Sequence, residues 1–296
     1  MTSPVSGVLN ALSTPFNKEG NVDESRMRWL VDRSVNAGID AVVVGGGTGE
    51  FAWLTHDERR QIIDVVLQHA AGRIPVVAQT GALTAREATT LSRAAEAGGA
   101  DVLMLTLPYY EPLSGREVAR YLHEVAESVS IPVMLYNNPF TTGVHMDVPT
   151  LVGFARDIPN VEYVKDSSKD WEQALRLIHY HSHELKLIMG WDSFSFGALL
   201  EGATGVMAGS ANLVPDELVA VVRAIRGNDI VAARAAWQRV FPVLDTLVDL
   251  PFSQAVKAGL RLRGESIGAP RAPQEELDPE SEARLAAVLE RLDNRL

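Results

Sequence analysis

The segment Val161–Asp166 is a short, mostly apolar run that contains a lysine, Lys165, whose amine could do chemistry. We interpret the run as a buried β-strand in which Val161, Tyr163 and Lys165 share one face, because strands alternate their faces. A free lysine has a pKa of about 10.4. Burial disfavours the charged form, and a neutral amine attacks carbonyl carbons, so the sequence suggests a Schiff-base lysine. The alternative is an ordinary lysine at a strand end, with its ammonium group in solvent.

A glycine-rich loop and a tyrosine could complete such a site. The loop 45–50, with the sequence GGGTGE, follows a β-branched run. Its backbone N–H groups could approach an anion such as a carboxylate, with the Thr48 hydroxyl as a further donor, or the loop could be a flexible turn. Tyr136 ends another apolar run, where its hydroxyl could transfer a proton, although a core aromatic is the common role of a strand tyrosine.

Other catalytic classes have little support. The chain has no cysteine, which excludes disulfides, thiol nucleophiles and Cys-ligated metals. His179, His181 and His183 alternate near a predicted helix end, which is typical of a solvated cluster rather than a metal site, and we find no Ser-His-Asp arrangement. The sequence therefore predicts neither a metal nor a cofactor.

The composition predicts a cytoplasmic protein. The net charge of −11, from 27 basic and 38 acidic residues, does not suggest binding to nucleic acid or to a membrane surface. Residues 1–7 lack the basic and apolar regions of a signal peptide, and no apolar run is long enough to span a bilayer.

Eight strand-then-helix units follow one another between residues 8 and 225. Near-continuous apolar strands separated by amphipathic helices predict a parallel sheet covered on its outside, and eight units suggest an α/β fold of the (β/α)8 TIM-barrel type. A doubly wound sheet is the alternative, but no Gly-x-Gly-x-x-Gly opens the first helix. After Gly227 only helices are predicted, so we expect a catalytic barrel over 1–227 and a C-terminal helical extension over 228–296.

The chemistry of a TIM barrel lies where strands end and their following loops begin. Those positions hold Thr14, the loop 46–50, Tyr109-Tyr110, Tyr136-Asn137, Lys165, Gly190-Trp191-Asp192 and Gly209-Ser210. A lysine, a tyrosine and a Gly/Thr loop are thus predicted to converge at one end of the barrel.

Several motifs in order resemble those of the dihydrodipicolinate synthase / N-acetylneuraminate lyase family of class I pyruvate aldolases and dehydratases. They cover roughly residues 7–227, and the helical tail is also similar. The motifs are Gly46-Gly47-Thr48-Gly49-Glu50, Leu107-Pro108-Tyr109-Tyr110, Tyr136-Asn137-Asn138-Pro139, Val164-Lys165-Asp166, and Gly205-Val206-Met207 with Ala211-Asn212. The resemblance implies a (β/α)8 barrel that forms a homotetramer, as a dimer of dimers.

The resemblance also implies roles for particular residues. Lys165 would form the imine with a 2-oxo acid, and Tyr136 would relay protons. Tyr110, the third expected catalytic residue, would be inserted across a dimer interface, as in dihydrodipicolinate synthases. The expected substrate-binding residues are Thr48 with the N–H groups of its loop (Gly47, Gly49), Thr14 from its strand-end position, the carbonyl of Met207, and Thr141.

Two departures from the family pattern bear on the substrate. The position of Gly47 often carries Thr or Ser in the family, and the form found here is similar to that of 5-dehydro-4-deoxyglucarate dehydratases. Thr141 stands where dihydrodipicolinate synthases place an arginine for the second substrate's carboxylate, which argues against lysine biosynthesis. We expect the rest of the substrate to be lined by Phe140, Thr141, Ser167, Trp191 and Ser210.

The resulting prediction is a cofactor-independent Schiff-base lyase, either an aldolase or a dehydratase. Its substrate would be a 2-oxo-3-deoxy sugar acid, or pyruvate plus an aldehyde. Three alternatives stay open: a dihydrodipicolinate synthase-type condensation, a non-catalytic member that binds a 2-oxo acid, and a metal-dependent barrel aldolase.

Overall fold

The computed structural model describes residues 5–294 of the chain. Residues 1–4, on which part of the prediction about a signal peptide rests, lie outside the described residues. The eight parallel strands form a closed barrel in chain order, which confirms the predicted TIM barrel. Between residues 5 and 294, no helix is both long and apolar enough to cross a membrane.

The strands are short and their side chains are almost entirely buried. Each apolar side chain buried in this way stabilises the fold by about 1.5–3 kcal/mol. The strands are β1 (Gly7–Ala11), β2 (Ala41–Val44), β3 (Val76–Gln79), β4 (Val102–Thr106), β5 (Val133–Asn137), β6 (Val161–Asp166), β7 (Lys186–Met189) and β8 (Gly205–Ala208).

The helices follow the strands in alternation and then continue to the C-terminus. They are α1 (Glu24–Ala37), α2 (His56–Ala70), α3 (Ala85–Ala97), α4 (Gly115–Ala126), α5 (Pro139–Thr142), α6 (Val148–Asp157), α7 (Trp171–His181), α8 (Ser195–Glu201), α9 (Pro215–Arg226), α10 (Ile230–Asp249), α11 (Phe252–Leu262) and α12 (Pro279–Asp293). Short 3-10 segments lie at Phe51–Trp53, Asp192–Phe194 and Gly209–Asn212. The single turn α5 was not predicted.

Polar caps set where the helices begin after each loop. The Asp23 carboxylate accepts the Arg26 N–H at the start of α1. Thr55 and Glu58 form the predicted capping box of α2. Such caps satisfy backbone donors that have no partner within the helix, and each contributes about 1 kcal/mol. Because the caps are local in sequence, these helix starts were predictable.

Contacts between Cα atoms group the chain into two compact units. One contains Pro75–Met207 with residues 5–6, and the other contains Gly7–Ile74 with 208–294. Within the second unit, α10 packs on α9 and α12, and α11 packs on α12 and on the 3-10 segment Gly209–Asn212. The domain boundary predicted after residue 227 marks the end of strand–helix alternation and is not a division by contacts. It stays a prediction.

Candidate active site

Lys165 and Tyr136 lie side by side near the carboxyl ends of two paired strands. In the register of β5 and β6, Tyr136 is opposite Lys165, and on the other side Lys165 is opposite Ile188 of β7. Lys165 is only 7% exposed. Its nitrogen lies 4.0 Å from the centroid of the Tyr136 ring, so the strand register itself brings the amine and the phenol together.

The phenol of Tyr136 is surrounded by hydrogen-bonding groups. The side-chain amide of Asn138 donates to the Tyr136 hydroxyl at 3.0 Å, and the side chains of Ser167 and Lys165 also hydrogen-bond to it. Burial by itself pushes the pKa of Tyr136 up, but the positive charge of Lys165 and these hydrogen bonds outweigh burial and lower the pKa below its ordinary value. A phenol tuned in this way releases and regains a proton more readily near neutral pH.

Gly190, directly after β7, leaves the space that the lysine side chain occupies. A Cβ atom at this position would lie 2.2 Å from Ser167 Oγ and 2.8 Å from Lys165 Cε, so no larger residue fits without displacing them. The Ser167 hydroxyl donates to the Gly190 carbonyl at 3.0 Å. The sequence placed Gly190 at a strand end but assigned it no role.

Asp166, the residue after Lys165, is buried and fixes the end of β6. Its carboxylate accepts hydrogen bonds from the Asn137 amide at 3.1 Å, the Ser168 N–H at 3.0 Å and the Gln173 amide at 3.2 Å. Burial raises the pKa of Asp166 above its ordinary value, and these neutral donors offset only part of that effect. The network holds β6 to β5 next to the lysine and so limits how far Lys165 can move.

Close contacts surround part of the glycine-rich loop after β2, whereas a Cβ at Gly47 would meet no atom within 4 Å. The Thr14 hydroxyl is buried and donates to the Gly49 carbonyl at 2.5 Å. A Cβ at Gly49 would lie 3.0 Å from the Leu12 carbonyl oxygen, and a Cβ at Gly209 would lie 2.6 Å from Thr48 Oγ1. Thr14, which the sequence selected from a different strand end, therefore contacts the loop that carries Thr48 and Gly49.

The end of this loop is held by a buried ion pair. Glu50 adopts a left-handed backbone conformation, with φ of 58°, and its carboxylate lies 2.5 Å from the ammonium of Lys257 in α11. The Arg271 N–H donates to the same carboxylate at 2.9 Å. Burial lowers the pKa of Lys257, and the negative charge of Glu50 opposes that effect. Sequence reasoning missed Lys257 because 206 residues separate it from the end of the loop.

The remaining predicted site residues occupy varied environments. Tyr110 is 83% exposed, so its side chain does not pack into the chain that carries it. Gly47 and Thr141 are exposed, and Met207 is buried in β8. Ser210 is also buried. The assignment of Tyr110 to catalysis, and of Gly47, Thr141, Met207 and Ser210 to substrate binding, stays a prediction.

The histidines that were considered as metal ligands face acidic partners. His179 contacts Glu201 at 3.0 Å, and His181 contacts Glu184 at 2.9 Å. Within residues 5–294, no group of three or more His, Asp or Glu side chains is placed to hold a metal ion.

A closed (β/α)8 barrel with a buried lysine beside a tyrosine near the strand ends is typical of enzymes that use a lysine amine as nucleophile. Residues 4–292 match the model of the dihydrodipicolinate synthetase family, and the chain belongs to this family. It is accordingly an enzyme, a class I lyase that works through a Schiff base, which confirms the predicted class.

Relatives and solved structures agree with this placement. The chain is 33% identical to the 4-hydroxy-tetrahydrodipicolinate synthase of Oceanobacillus iheyensis, covering 95% of both chains. It is 35% identical to the protein of that name from Neisseria meningitidis serogroup C, covering 96% of this chain and 97% of the relative. A prophage protein of the dihydrodipicolinic acid synthase family from E. coli K12, crystallised with pyruvate, has a TM-score of 0.93 and 30% identity, covering 98% and 99% of the two chains.

Proposed function

We propose that Lys165 is the lysine that forms the imine with a 2-oxo acid. The observation that carries this proposal is the buried contact between the Lys165 nitrogen and the Tyr136 ring at 4.0 Å, between paired residues of β5 and β6. The amine attacks the C2 carbonyl, and loss of water from the resulting carbinolamine gives the imine. The protonated imine then accepts the electron pair released when a C3 proton leaves or when the C3–C4 bond breaks.

Tyr136 is the proposed proton relay. Its phenol carries a proton to the carbinolamine oxygen as water leaves, and it takes a proton from the substrate when the C3–C4 bond breaks. Its lowered pKa and the hydrogen bond from Asn138 support this role. The proposed carboxylate site is Thr48 with the N–H groups of its loop. Thr14 and the Met207 carbonyl are proposed as further substrate-binding groups, the carbonyl as an acceptor near Tyr136.

The proposed substrate is a 2-oxo-3-deoxy sugar acid, or pyruvate together with an aldehyde. Pyruvate is supported by the pyruvate complex of the E. coli K12 relative. Sugar-acid chemistry is supported by Gly47, which leaves the loop without the hydroxyl that dihydrodipicolinate synthases use there. Thr141, in the short helix α5, supplies no positive charge where those enzymes have an arginine.

The second candidate is the condensation of pyruvate with aspartate semialdehyde. It is favoured by the curated relatives named 4-hydroxy-tetrahydrodipicolinate synthase at 33–35% identity. In either case we propose a homotetramer made of two dimers, in which the exposed Tyr110 enters the partner, and a cytoplasmic location.

A substrate panel tests the proposal. Purified enzyme is assayed with 2-oxo-3-deoxy aldonic and aldaric acids, with pyruvate plus neutral aldehydes, and with pyruvate plus aspartate semialdehyde. We expect turnover of a sugar acid to exceed that with aspartate semialdehyde. The reverse order would establish the second candidate. Tyr136→Phe should lower turnover of the best substrate by about 10²–10⁴-fold while the imine can still be trapped, and unchanged turnover would remove the relay role.

A further inference from the structure

Lys169 is a lysine in a backbone conformation that side chains rarely adopt. It lies in the loop between β6 and α7, four residues after Lys165, with φ of 63°. Left-handed conformations disfavour residues with a Cβ atom, and they persist only where the surroundings impose them, often at functional sites. The strain at Lys169 therefore needs an explanation.

Hydrogen bonds on both sides hold this residue in place. The N–H of Ser168 donates to the Asp166 carboxylate at 3.0 Å, and the N–H of Asp170 donates to the Ser168 hydroxyl at 3.1 Å. The Asp170 carboxylate in turn accepts the Gln173 N–H at 2.9 Å and caps α7. The Lys169 backbone is thus fixed by a chain of contacts that starts beside Lys165.

The side chain of Lys169 lies over two aromatic rings. Its ammonium is 4.0 Å from the centroid of Trp191 and 5.3 Å from that of Phe140. The two ring centroids are 6.4 Å apart and tilted by 48°. Cation–π contacts of this kind hold an ammonium without neutralising its charge. Phe140 is 65% exposed, so the edge of this aromatic pair is accessible to a ligand.

In the part of the chain that the structure describes, no acidic side chain pairs with the charge of Lys169. Among residues 5–294, no carboxylate lies within 4.0 Å of its ammonium, and the nearby Asp170 carboxylate is engaged as a helix cap. Trp191 and Phe140 are aromatic and offer no carboxylate. An exposed aromatic platform with an unpaired cation on it is suited to an anion that arrives from solvent.

The three platform residues follow the strands that position the proposed site. Phe140 in α5, Lys169 and Trp191 come after β5, β6 and β7 in that order. Tyr136 and Lys165 lie near the ends of β5 and β6, and Gly190 directly follows β7. Four residues of chain reach at most about 14 Å. The side chains of Lys165 and Lys169, with a six-carbon acid between their nitrogens, can together span a distance of that size.

We infer that Lys169 binds a carboxylate at the end of the substrate remote from its 2-oxo acid group. The substrate class is then a dicarboxylic 2-oxo acid, or pyruvate with an aldehyde that carries a carboxylate. The inference rests on the proposed function, since it assumes that the 2-oxo group reacts at Lys165.

Two 2-oxo acids of equal length test this role. The concentration of 2-oxoadipate and of 2-oxohexanoate giving half-maximal borohydride trapping is measured for the wild type, Lys169→Gly and Lys169→Arg, with pyruvate as a third ligand. The wild type should prefer 2-oxoadipate. Lys169→Gly should reduce that preference by about 10- to 100-fold, as loss of a charged hydrogen bond does, and Lys169→Arg should keep most of it.

The controls separate loss of charge from loss of fold. Glycine tolerates the left-handed conformation, so Lys169→Gly should unfold no more readily than the wild type and should trap pyruvate normally. Lys18→Gln, in an exposed turn, removes the same charge elsewhere and should leave the preference unchanged.

The outcomes distinguish the two proposals. Equal preference in the wild type and Lys169→Gly, or failure of both longer acids to trap while pyruvate does, would overturn the role of Lys169 and leave the Schiff base intact. No trapping of pyruvate would overturn the proposed function and this inference with it.

Discussion

The side-chain nitrogen of Lys165 lies 4.0 Å from the centroid of the Tyr136 ring, and the two residues are paired across β5 and β6. Burial raises the pKa of the Tyr136 phenol, but the charge of Lys165 leads the effects that lower it overall. Replacing Lys165 by methionine should therefore raise the pKa of Tyr136. Titration of ¹³C-labelled tyrosine by NMR measures this shift, with Tyr136→Phe assigning the signal.

A matched control uses another lysine next to an aromatic ring. The Lys186 ammonium lies 4.9 Å from the centroid of Tyr163, so Lys186→Met removes a charge elsewhere in the barrel and should leave the Tyr136 signal unchanged. A Tyr136 titration identical in Lys165→Met and the wild type would show that the two groups are not coupled.

Gly190 provides a steric test of the lysine's position. Because a Cβ there would lie 2.8 Å from Lys165 Cε and 2.2 Å from Ser167 Oγ, Gly190→Ala should displace the amine and slow imine formation by about 10²-fold, the cost of a misplacement near 1 Å. The rate of pyruvate trapping measures the effect. Gly153→Ala is the control, since a Cβ in that part of α6 meets no atom within 4 Å.

The control variant should also be more stable than the wild type. Gly153→Ala should raise the free energy of unfolding by about 0.5–1 kcal/mol through higher helix propensity. A Gly190→Ala enzyme that traps pyruvate at the wild-type rate would contradict the assigned position of Lys165.

The Glu50–Lys257 ion pair should be important for the glycine loop. Lys257→Met leaves the Glu50 carboxylate buried without its cation, which should cost about 3–5 kcal/mol of unfolding free energy. It should also raise the concentration of pyruvate that half-saturates trapping, because the loop is held by that carboxylate. Chemical denaturation and the trapping assay measure the two effects.

Two further variants test whether burial of the Glu50 charge explains this loss of stability. Lys186→Met breaks the partly exposed pair with Glu162 and should cost no more than about 1 kcal/mol. Glu50→Gln combined with Lys257→Met removes both charges and should recover part of the lost stability. Equal losses for Lys257→Met and Lys186→Met would show that burial of the Glu50 pair has no special effect.

Glu184 should make the stability of the fold depend on pH in the acid range. Hydrogen bonds from Arg156 and then His181 lower the pKa of Glu184 from 4.5 to about 2. A carboxyl with a depressed pKa in the folded state contributes stability above its unfolded pKa and loses it as the pH falls through the folded value. Glu184→Gln should therefore be less stable than the wild type at pH 7.

The difference between these two proteins should shrink between pH 4.5 and about 2. Denaturation of both proteins at a series of pH values measures it. Glu172→Gln, in the exposed pair with Arg176 of α7, should change stability little at any pH. A difference for Glu184→Gln that is constant down to pH 2 would mean that the carboxyl's titration is not linked to folding.

Much of this architecture was predictable because its determinants are local. Asp23 and the Thr55–Glu58 capping box mark helix starts within three residues, and the apolar runs mark the strands. Lys165 was selected from its position at a strand end, and the structure places it beside Tyr136. The roles of these residues in catalysis remain proposals.

What sequence reasoning missed depends on residues far apart in the chain. The regular alternation assumed for Val161, Tyr163 and Lys165 is interrupted between Val161 and Tyr163, because these two residues pair with the adjacent residues Val133 and Met134 of β5. From Tyr163 to Lys165 the pairing is regular. Lys169 contacts the rings of Phe140, 29 residues before it, and Trp191, 22 residues after it, and no local pattern signals such a cluster.

Borohydride reduction in the presence of pyruvate, followed by peptide mapping by mass spectrometry, tests the central claim most directly. If Lys165 forms the imine, the wild type carries one stable adduct on the peptide that contains Lys165, and Lys165→Met carries none. Lys169→Gly retains the adduct. An adduct on another lysine, or no adduct in the wild type at saturating pyruvate, would contradict the assignment of Lys165 as the Schiff-base residue.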